Sequence, residues 1–253
     1  MKITFLGTGT SQGVPLIGCD CKVCTSTNKK DKRLRTAIKI EVNNSVFVVD
    51  TGPDFRQQML RSGTKQLDAV IFTHHHKDHT AGFDDVRSFN RLMNKPIEVY
   101  AEHYVQESLK YAFPYVFEDL PYPGILKINM HTITEEAFTI NDTRIIPVRL
   151  MHHQLPVLGF RIGNFAYLTD LKTIPEKEFS KLENLDVLVI AALQKNMHIS
   201  HANLDEALAY IDIIKPKQAY LTHMNHTFGL HDEEDNLLPD KVFLAYDELE
   251  LEL

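Results

Sequence analysis

The stretch His74-His75-His76-Lys77-Asp78-His79 follows the apolar run Ala69-Val70-Ile71-Phe72-Thr73. Imidazole nitrogens and carboxylate oxygens suit borderline divalent cations, and four such groups within six residues can hardly all serve as core packing. In the pattern His-x-His-x-Asp-His, Asp78 and His79 point away from the pair His74 and His76, which predicts two metals rather than one. Two adjacent ions, typically ~3.5–4 Å apart, make a clamp suited to hydrolysis. Three more candidates end apolar runs: His152 or His153 after Arg149-Leu150-Met151, Asp170 after Tyr167-Leu168-Thr169, and His223 after Tyr220-Leu221-Thr222. Charge then suggests an assignment. One ion takes His74, His76 and His152, with His153 still open; the other takes Asp78, His79 and His223; and Asp170 bridges them. A water held between the ions loses a proton near neutral pH and becomes the nucleophile.

Strands that end in loops must deliver these side chains. Ile3 to Leu6 reads as a first strand running into Gly7-Thr8-Gly9-Thr10, a loop that lacks the phosphate-binding pattern of a P-loop. Thr36 to Val42 and Val46 to Asp50 flank Asn43-Asn44-Ser45 and predict a hairpin, followed by a short helix through Arg61 capped by Asp54. Helical spacing marks Asp84 to Met93, Glu102 to Tyr111, Pro175 to Leu182 and Leu204 to Ile214. Ile97 to Ala101, Val187 to Ala191 and Gln218 to Thr222 read as strands. Five strand-like runs, Lys127 to Thr132, Phe138 to Ile140, Thr143 to Leu150, Leu158 to Ile162 and Phe165 to Thr169, predict antiparallel meanders forming a second sheet. The proline-broken aromatic stretch from Phe113 to Gly124 suits a lid or an ordinary crossover. The charge run Lys29-Lys30-Asp31-Lys32-Arg33-Leu34-Arg35 reads first as a solvated loop and second as a substrate clamp. Together these give an α/β protein with two packed sheets covered by helices, in one domain over 1–253.

With 253 residues, 43% of them hydrophobic, the chain can bury a sizeable core. A formal charge of -7 argues against a broad nucleic-acid surface, while leaving a small anionic substrate open. No apolar run is long enough to span a bilayer, and the chain begins with a strand-like segment rather than a signal peptide, so a cytoplasmic location is expected. The three cysteines, Cys19, Cys21 and Cys24, cannot form a complete disulfide framework. A homodimer is compatible with the sequence.

The chain resembles the metallo-β-lactamase superfamily and, within it, the PhnP-type phosphodiesterases. The resemblance rests on Leu6-Gly7-Thr8-Gly9-Thr10-Ser11-Gln12-Gly13-Val14-Pro15, on Gly18-Cys19-Asp20-Cys21-Lys22-Val23-Cys24, on His74 to His79, on Leu168-Thr169-Asp170 and on Leu221-Thr222-His223-Met224-Asn225-His226. It implies an αββα four-layer sandwich. Met151-His152-His153-Gln154 offers two histidines where the family uses one, and the following Leu155-Pro156-Val157-Leu158-Gly159 favours His152. Cys19, Cys21 and Cys24 supply three thiolates, and the resemblance implies His226 as the fourth ligand of a structural zinc. The rivals are a Cys21-Cys24 redox pair and three unconnected buried thiols. The resemblance also points to His201, just before Leu204-Asp205-Glu206-Ala207, as the general acid that protonates the leaving group; the plainer reading is a helix cap or packing residue.

The function implied is a hydrolase of small or cyclic phosphate diesters, with Asp78, Asp170 and His201 as catalytic residues and two divalent ions, zinc or manganese, beside the structural zinc. The alternatives are another hydrolase of the fold, such as a ribonuclease Z, thioester hydrolase or lactamase, or a non-catalytic accessory protein like the PQQ-synthesis B protein. His75, His103, His131, His198 and His231 are left without a role.

Overall fold

The computed structural model describes residues 1–118 and 124–253. Among them the first half contributes β1 (Lys2–Gly7), β2 (Ala37–Val42), β3 (Ser45–Val49), α1 (Phe55–Arg61), β4 (Ala69–Ile71), α2 (Lys77–Thr80), α3 (Arg87–Met93), β5 (Ile97–Ala101), α4 (His103–Ala112), α5 (Pro114–Phe117) and β6 (Ile128–Thr132). The second half contributes β7 (Phe138–Ile140), β8 (Thr143–His152), β9 (Leu155–Ile162), β10 (Phe165–Leu168), β11 (Val187–Ala191), α6 (Leu204–Ile214), β12 (Gln218–Thr222), α7 (His231–Asp235), β13 (Val242–Leu244) and β14 (Glu250–Glu252). The strands form two seven-stranded sheets, ordered β14-β1-β2-β3-β4-β5-β6 and β13-β12-β11-β10-β9-β8-β7.

Alternation along each strand sorts side chains into three apolar layers. Phe47, Val49, Ile71, Phe160, Tyr167 and Val189 meet between the sheets. Val48, Val70 and Val99 face outward and are covered by Phe55, Met59, Phe89 and Leu109 of α1, α3 and α4. On the opposite outer face Leu168, Leu188, Ile190 and Leu221 receive Ala207 and Ile214 of α6. The four-layer αββα sandwich is therefore the fold.

Several local expectations change. β6 pairs in parallel with β5, Ile97 opposite Ile128, so it closes the first sheet rather than opening the second. The helix α4 lies between them, the kind of crossover that a parallel pair needs. The remaining four runs do form the antiparallel meander β7-β8-β9-β10. Asn43 and Asn44 take positive φ of 49° and 60° at the β2–β3 turn, as a two-residue hairpin requires. Asp54 stands at the N-cap position of α1 but makes no cap bond; its carboxylate accepts from the Arg35 amide and guanidinium instead. The segment 83–86 begins as a 3₁₀ turn before α3, and 176–182 is 3₁₀ throughout. The supposed lid is a short helix, α5, at its start, and its residues 119–123 lie outside the described part of the chain.

The charge run is solvated only in part: Lys29 is exposed, whereas Asp31 and Arg33 are buried. Arg33 is buried and donates to the Thr8 hydroxyl, the Ala245 carbonyl and His231 Nδ1. Burial lowers its pKa to about 10. Arg35 bonds Asp54 and the Ser11 carbonyl, and Lys32 bonds the Cys24 carbonyl. These cations brace the N-terminal loops rather than facing solvent.

Candidate metal centre

Five strand ends converge at one edge of the sandwich. β3 runs into Asp50, β4 into the histidine segment, β8 ends at His152, β10 leads to Asp170 and β12 leads to His223. Three of these residues have left-handed backbones, with φ of 68° at Asp50, 54° at Asp170 and 62° at His223. Such conformations cost of order 1–3 kcal/mol each for a non-glycine residue and persist where the surroundings impose them. Gly52 allows the histidine segment to come close. A Cβ there would stand 2.1 Å from the Asp78 carbonyl oxygen, so only glycine fits beneath α2.

Asp170 sits at the middle of the cluster and is almost fully buried. Its Oδ2 lies 3.0 Å from His79 Nε2 and its Oδ1 lies 3.1 Å from His223 Nε2. Neither contact has hydrogen-bond geometry, and both nitrogens are buried without a partner, as is His74 Nε2. Asp78 Oδ2 is 3.3 Å from His79 Nε2. The ring of His74 lies 4.6 Å from that of His76 and 6.1 Å from that of His152, and His76 lies 5.2 Å from His152. His152 is buried among them, whereas His153 is exposed on the turn with φ of 56°.

Three of the nitrogens that do not face the centre are committed elsewhere. His79 Nδ1 lies 2.7 Å from Asp50 Oδ2, His152 Nδ1 donates to the Ser200 carbonyl at 2.8 Å, and His74 Nδ1 meets the Thr73 hydroxyl at 2.9 Å. A histidine whose outer nitrogen donates in this way presents the inner nitrogen as a lone pair, the form a metal takes. Unpartnered imidazole nitrogens around a buried carboxylate are costly unless a cation fills the space between them, so the residues fit divalent metal ions. The carboxylates draw positive charge to the His79 side of the cluster, while His74 is kept neutral. Burial resists charge on His79, but Asp170, Asp50 and Asp78 outweigh it and hold its pKa well above the ordinary histidine value. Burial raises the pKa of Asp170, yet His223 and His79 overcome it and hold the carboxyl well below its ordinary range. His74, with burial and other imidazoles around it, is pushed well below its usual value.

Asp50 is the member that the sequence reading missed. Fully buried, it accepts from the Thr73 amide and hydroxyl as well as lying against His79. Its one signal in the sequence is an acid closing the apolar run Val46-Phe47-Val48-Val49.

His201 joins the cluster from the other side, its Nδ1 3.8 Å from Asp170 Oδ1 and its ring 4.3 Å from that of His152. It does not cap α6. Asn203 does so, accepting from the Glu206 amide while Glu206 accepts from the Asn203 amide. Burial and the neighbouring His223 lower the His201 pKa to about 3.

A second group of donors lies beside the first. Cys19, Cys21, Cys24 and His226 bring one donor atom each to within 4.8 Å of one another. His226 Nδ1 is 3.3 Å from Cys19 Sγ and 3.4 Å from Cys21 Sγ. A zinc tetrahedron with Zn–S of about 2.3 Å and Zn–N of about 2.0 Å has N···S edges of about 3.5 Å, so the spacing fits that ion. Amides support the sulfurs: Cys24 N–H donates to Cys21 and Leu16 N–H donates to Cys24. The amide from Cys24, with His226, lowers the Cys21 thiol to about 6. The three cysteines are free of disulfides.

Between the two groups opens a cavity of about 210 Å3 lined by Ser11, Gln12, His198, His201, Asn225 and His226, among others. His201 is the member of the carboxylate-histidine cluster that lines it.

A family model for the beta-lactamase superfamily domain matches residues 46–224. The chain belongs to the metallo-β-lactamase superfamily and is PhnP-like. A solved diphosphatase of the PhnP family superposes with a TM-score of 0.93 at 37% identity, covering 100% of this chain and 97% of that one. A Porphyromonas gingivalis protein named octanoyltransferase is 38% identical over 99% of this chain and 51% of its own length. A ribonuclease Z of Thermosynechococcus vestitus is 27% identical over 64% of this chain and 36% of its own length. The chain thus spans about half or less of these curated relatives. Among the described residues no helix is long and apolar enough to cross a membrane.

Proposed function

We propose that this chain is a metal-dependent hydrolase of small phosphate diesters. The observation that carries the reading is that buried Asp170 belongs to two donor groups at once, one with Asp78, His79 and His223 and one with His152 and His201. That geometry suits a bridge between two cations. His74, His76 and His152 would hold one ion, Asp78, His79 and His223 the other, while Cys19, Cys21, Cys24 and His226 would hold a structural zinc. Bound divalent ions, zinc or manganese, supply Lewis acidity toward a phosphoryl oxygen and acidify water.

The chain's own residues do the rest. Asp50, the Ser200 carbonyl and Thr73 fix the outer nitrogens of His79, His152 and His74, so the donors are set before substrate arrives. Thr169 donates to Asp170 Oδ2 and helps hold the bridging carboxylate. His201 borders both the cluster and the cavity, where a departing oxygen would lie. With a pKa of about 3 it is neutral at pH 7, so its use as a proton donor depends on negative charge on the phosphate and leaving oxygen drawing that pKa upward.

The diphosphatase neighbour supports phosphorus as the atom attacked. The name octanoyltransferase describes a protein of which this chain matches 51%, and the buried cluster here is a set of imidazoles and carboxylates of the kind that holds metal ions. The test is hydrolysis of phosphate diesters, monoesters, thioesters and lactams by protein loaded with defined metals. Diester cleavage that is lost on chelation and restored by zinc or manganese is expected; preferential thioester or lactam cleavage would overturn the reading. His201→Ala should lower kcat on an alkyl diester by roughly 10²- to 10⁴-fold, and by much less on a nitrophenyl diester, whose leaving group departs readily as an anion. Equal losses on both would make His201 a supporting residue.

A further inference from the structure

The loop that leads from β11 to α6 carries a histidine that this scheme does not use. His198 is half-buried in the cavity wall, its ring 5.2 Å from that of His201. The amides of Ser200 and His201 and the Ser200 hydroxyl all reach its Nδ1 at 3.3 Å. An amide N–H only donates, so Nδ1 must present a lone pair, and the neutral ring then carries its proton on Nε2. That far edge makes no hydrogen bond among the described residues. The loop's own backbone has selected one tautomer and left an N–H without a partner on a residue of the cavity wall that His201 shares.

We propose that the Nε2–H of His198 is a substrate-binding donor that selects departing groups bearing an uncharged oxygen. The cavity supports this class of group. Its polar walls are Thr10, Ser11, Gln12, Asn225 and the histidines, with no lysine, arginine or carboxylate among the residues that line it. A second phosphate would need a cation there, whereas a hydroxyl or ether oxygen needs only a neutral donor. The selectivity rests on the phosphodiester reading; the tautomer does not.

Two diesters of matched shape test it, 2-hydroxyethyl methyl phosphate and propyl methyl phosphate, followed by release of ethylene glycol or propanol. One neutral hydrogen bond predicts a preference of about fivefold in kcat/KM for the hydroxyethyl ester. In His198→Asn the amide oxygen can take the place of Nδ1 as acceptor for the loop, but nothing reaches the Nε2 position. In His198→Gln the amide N–H can reach that position while the loop loses its acceptor. The proposal expects the preference to collapse toward one in His198→Asn and to persist in His198→Gln, with metal content measured in each. A preference that survives in His198→Asn, or equal losses on both esters in both variants, overturns it in favour of a loop brace. Nitrogen-15 NMR of the wild-type ring gives a readout separate from turnover. An Nε2–H signal that shifts on adding 2-hydroxyethyl phosphate is expected, whereas an Nδ1–H tautomer overturns the proposal even if every diester is cleaved. Failure to cleave either ester with the Nε2–H signal intact and responsive would count against the phosphodiester reading alone.

Discussion

At the scale of single residues, Asp50 shows how a side chain can govern a site without facing it. Its carboxylate holds His79 Nδ1 at 2.7 Å and is itself held by Thr73. In Asp50→Asn the side chain keeps its shape but offers an amide whose NH₂ competes with the donor required of His79. Loss of a partner behind a metal-binding histidine typically weakens metal affinity by roughly 10- to 100-fold, and that loss is expected here, measured by competition with a chromogenic chelator. Affinity within twofold of wild type would remove Asp50 from the support of the centre. The histidine cluster itself was legible because ligand-type residues crowd into one stretch, and Asp170 and His223 because each closes an apolar run. Asp50 closes such a run too, yet its place depends on β3 pairing in parallel with β4, Val49 opposite Ile71, which brings it against Thr73. Sequence patterns within one strand do not state which strand lies beside it. The choice between His152 and His153 was likewise beyond spacing. The turn after β8 exposes His153, and the Ser200 carbonyl anchors His152 inside.

At the scale of elements, hydrophobic periodicity identified strands and helices well because the three apolar layers demand it, whereas partnership between elements was less legible. β6 has the composition of the meander strands that follow it, and only the intervening helix α4 marks it as the parallel neighbour of β5. Part of the charge run was misread for a related reason. Nothing local shows that Arg33 will be enclosed by Thr8, Ala245 and His231, which arrive from both ends of the chain. Close approach of elements is also what Gly52 permits. Gly52→Ala sets a methyl group against the Asp78 carbonyl at a separation no packed carbon tolerates, so α2 must move and carry Asp78 and His79 with it. Overpacking of this kind costs roughly 1–3 kcal/mol, which for a chain of this size corresponds to a fall in Tm of about 3–10 °C. Thermal unfolding and metal stoichiometry together check it, and an unchanged Tm with full metal loading would mean that the turn absorbs the methyl elsewhere.

At the scale of the whole molecule, the thiolate group ties together parts of the chain that the sandwich alone leaves separate. Cys19, Cys21 and Cys24 belong to the long loop after β1, and His226 to the loop after β12 in the other sheet. Backbone bonds run beside them, from the Met224 amide to the Thr8 carbonyl and from the Thr10 amide to the Met224 carbonyl. The same two loops supply Ser11, Gln12, Asn225 and His226 to the cavity wall. A zinc at this site would therefore stabilise the fold and shape the cavity at once. Structural zinc contributes to folding free energy directly, and a site missing one thiolate binds it far less tightly. Cys21→Ser should accordingly lose one zinc per chain and unfold at lower temperature. Its His74 to His79 segment, set by β4 and α2 rather than by the loops, should still load divalent metal. The expected kinetic signature is a rise in KM larger than the fall in kcat, because the cavity wall loosens while the cluster stays in place. Metal analysis, thermal unfolding and steady-state kinetics on one preparation decide the matter. If wild-type protein holds no tightly bound zinc beyond the catalytic ions, or if Cys21→Ser loses the catalytic ions as well, the thiolate group is not an independent structural site.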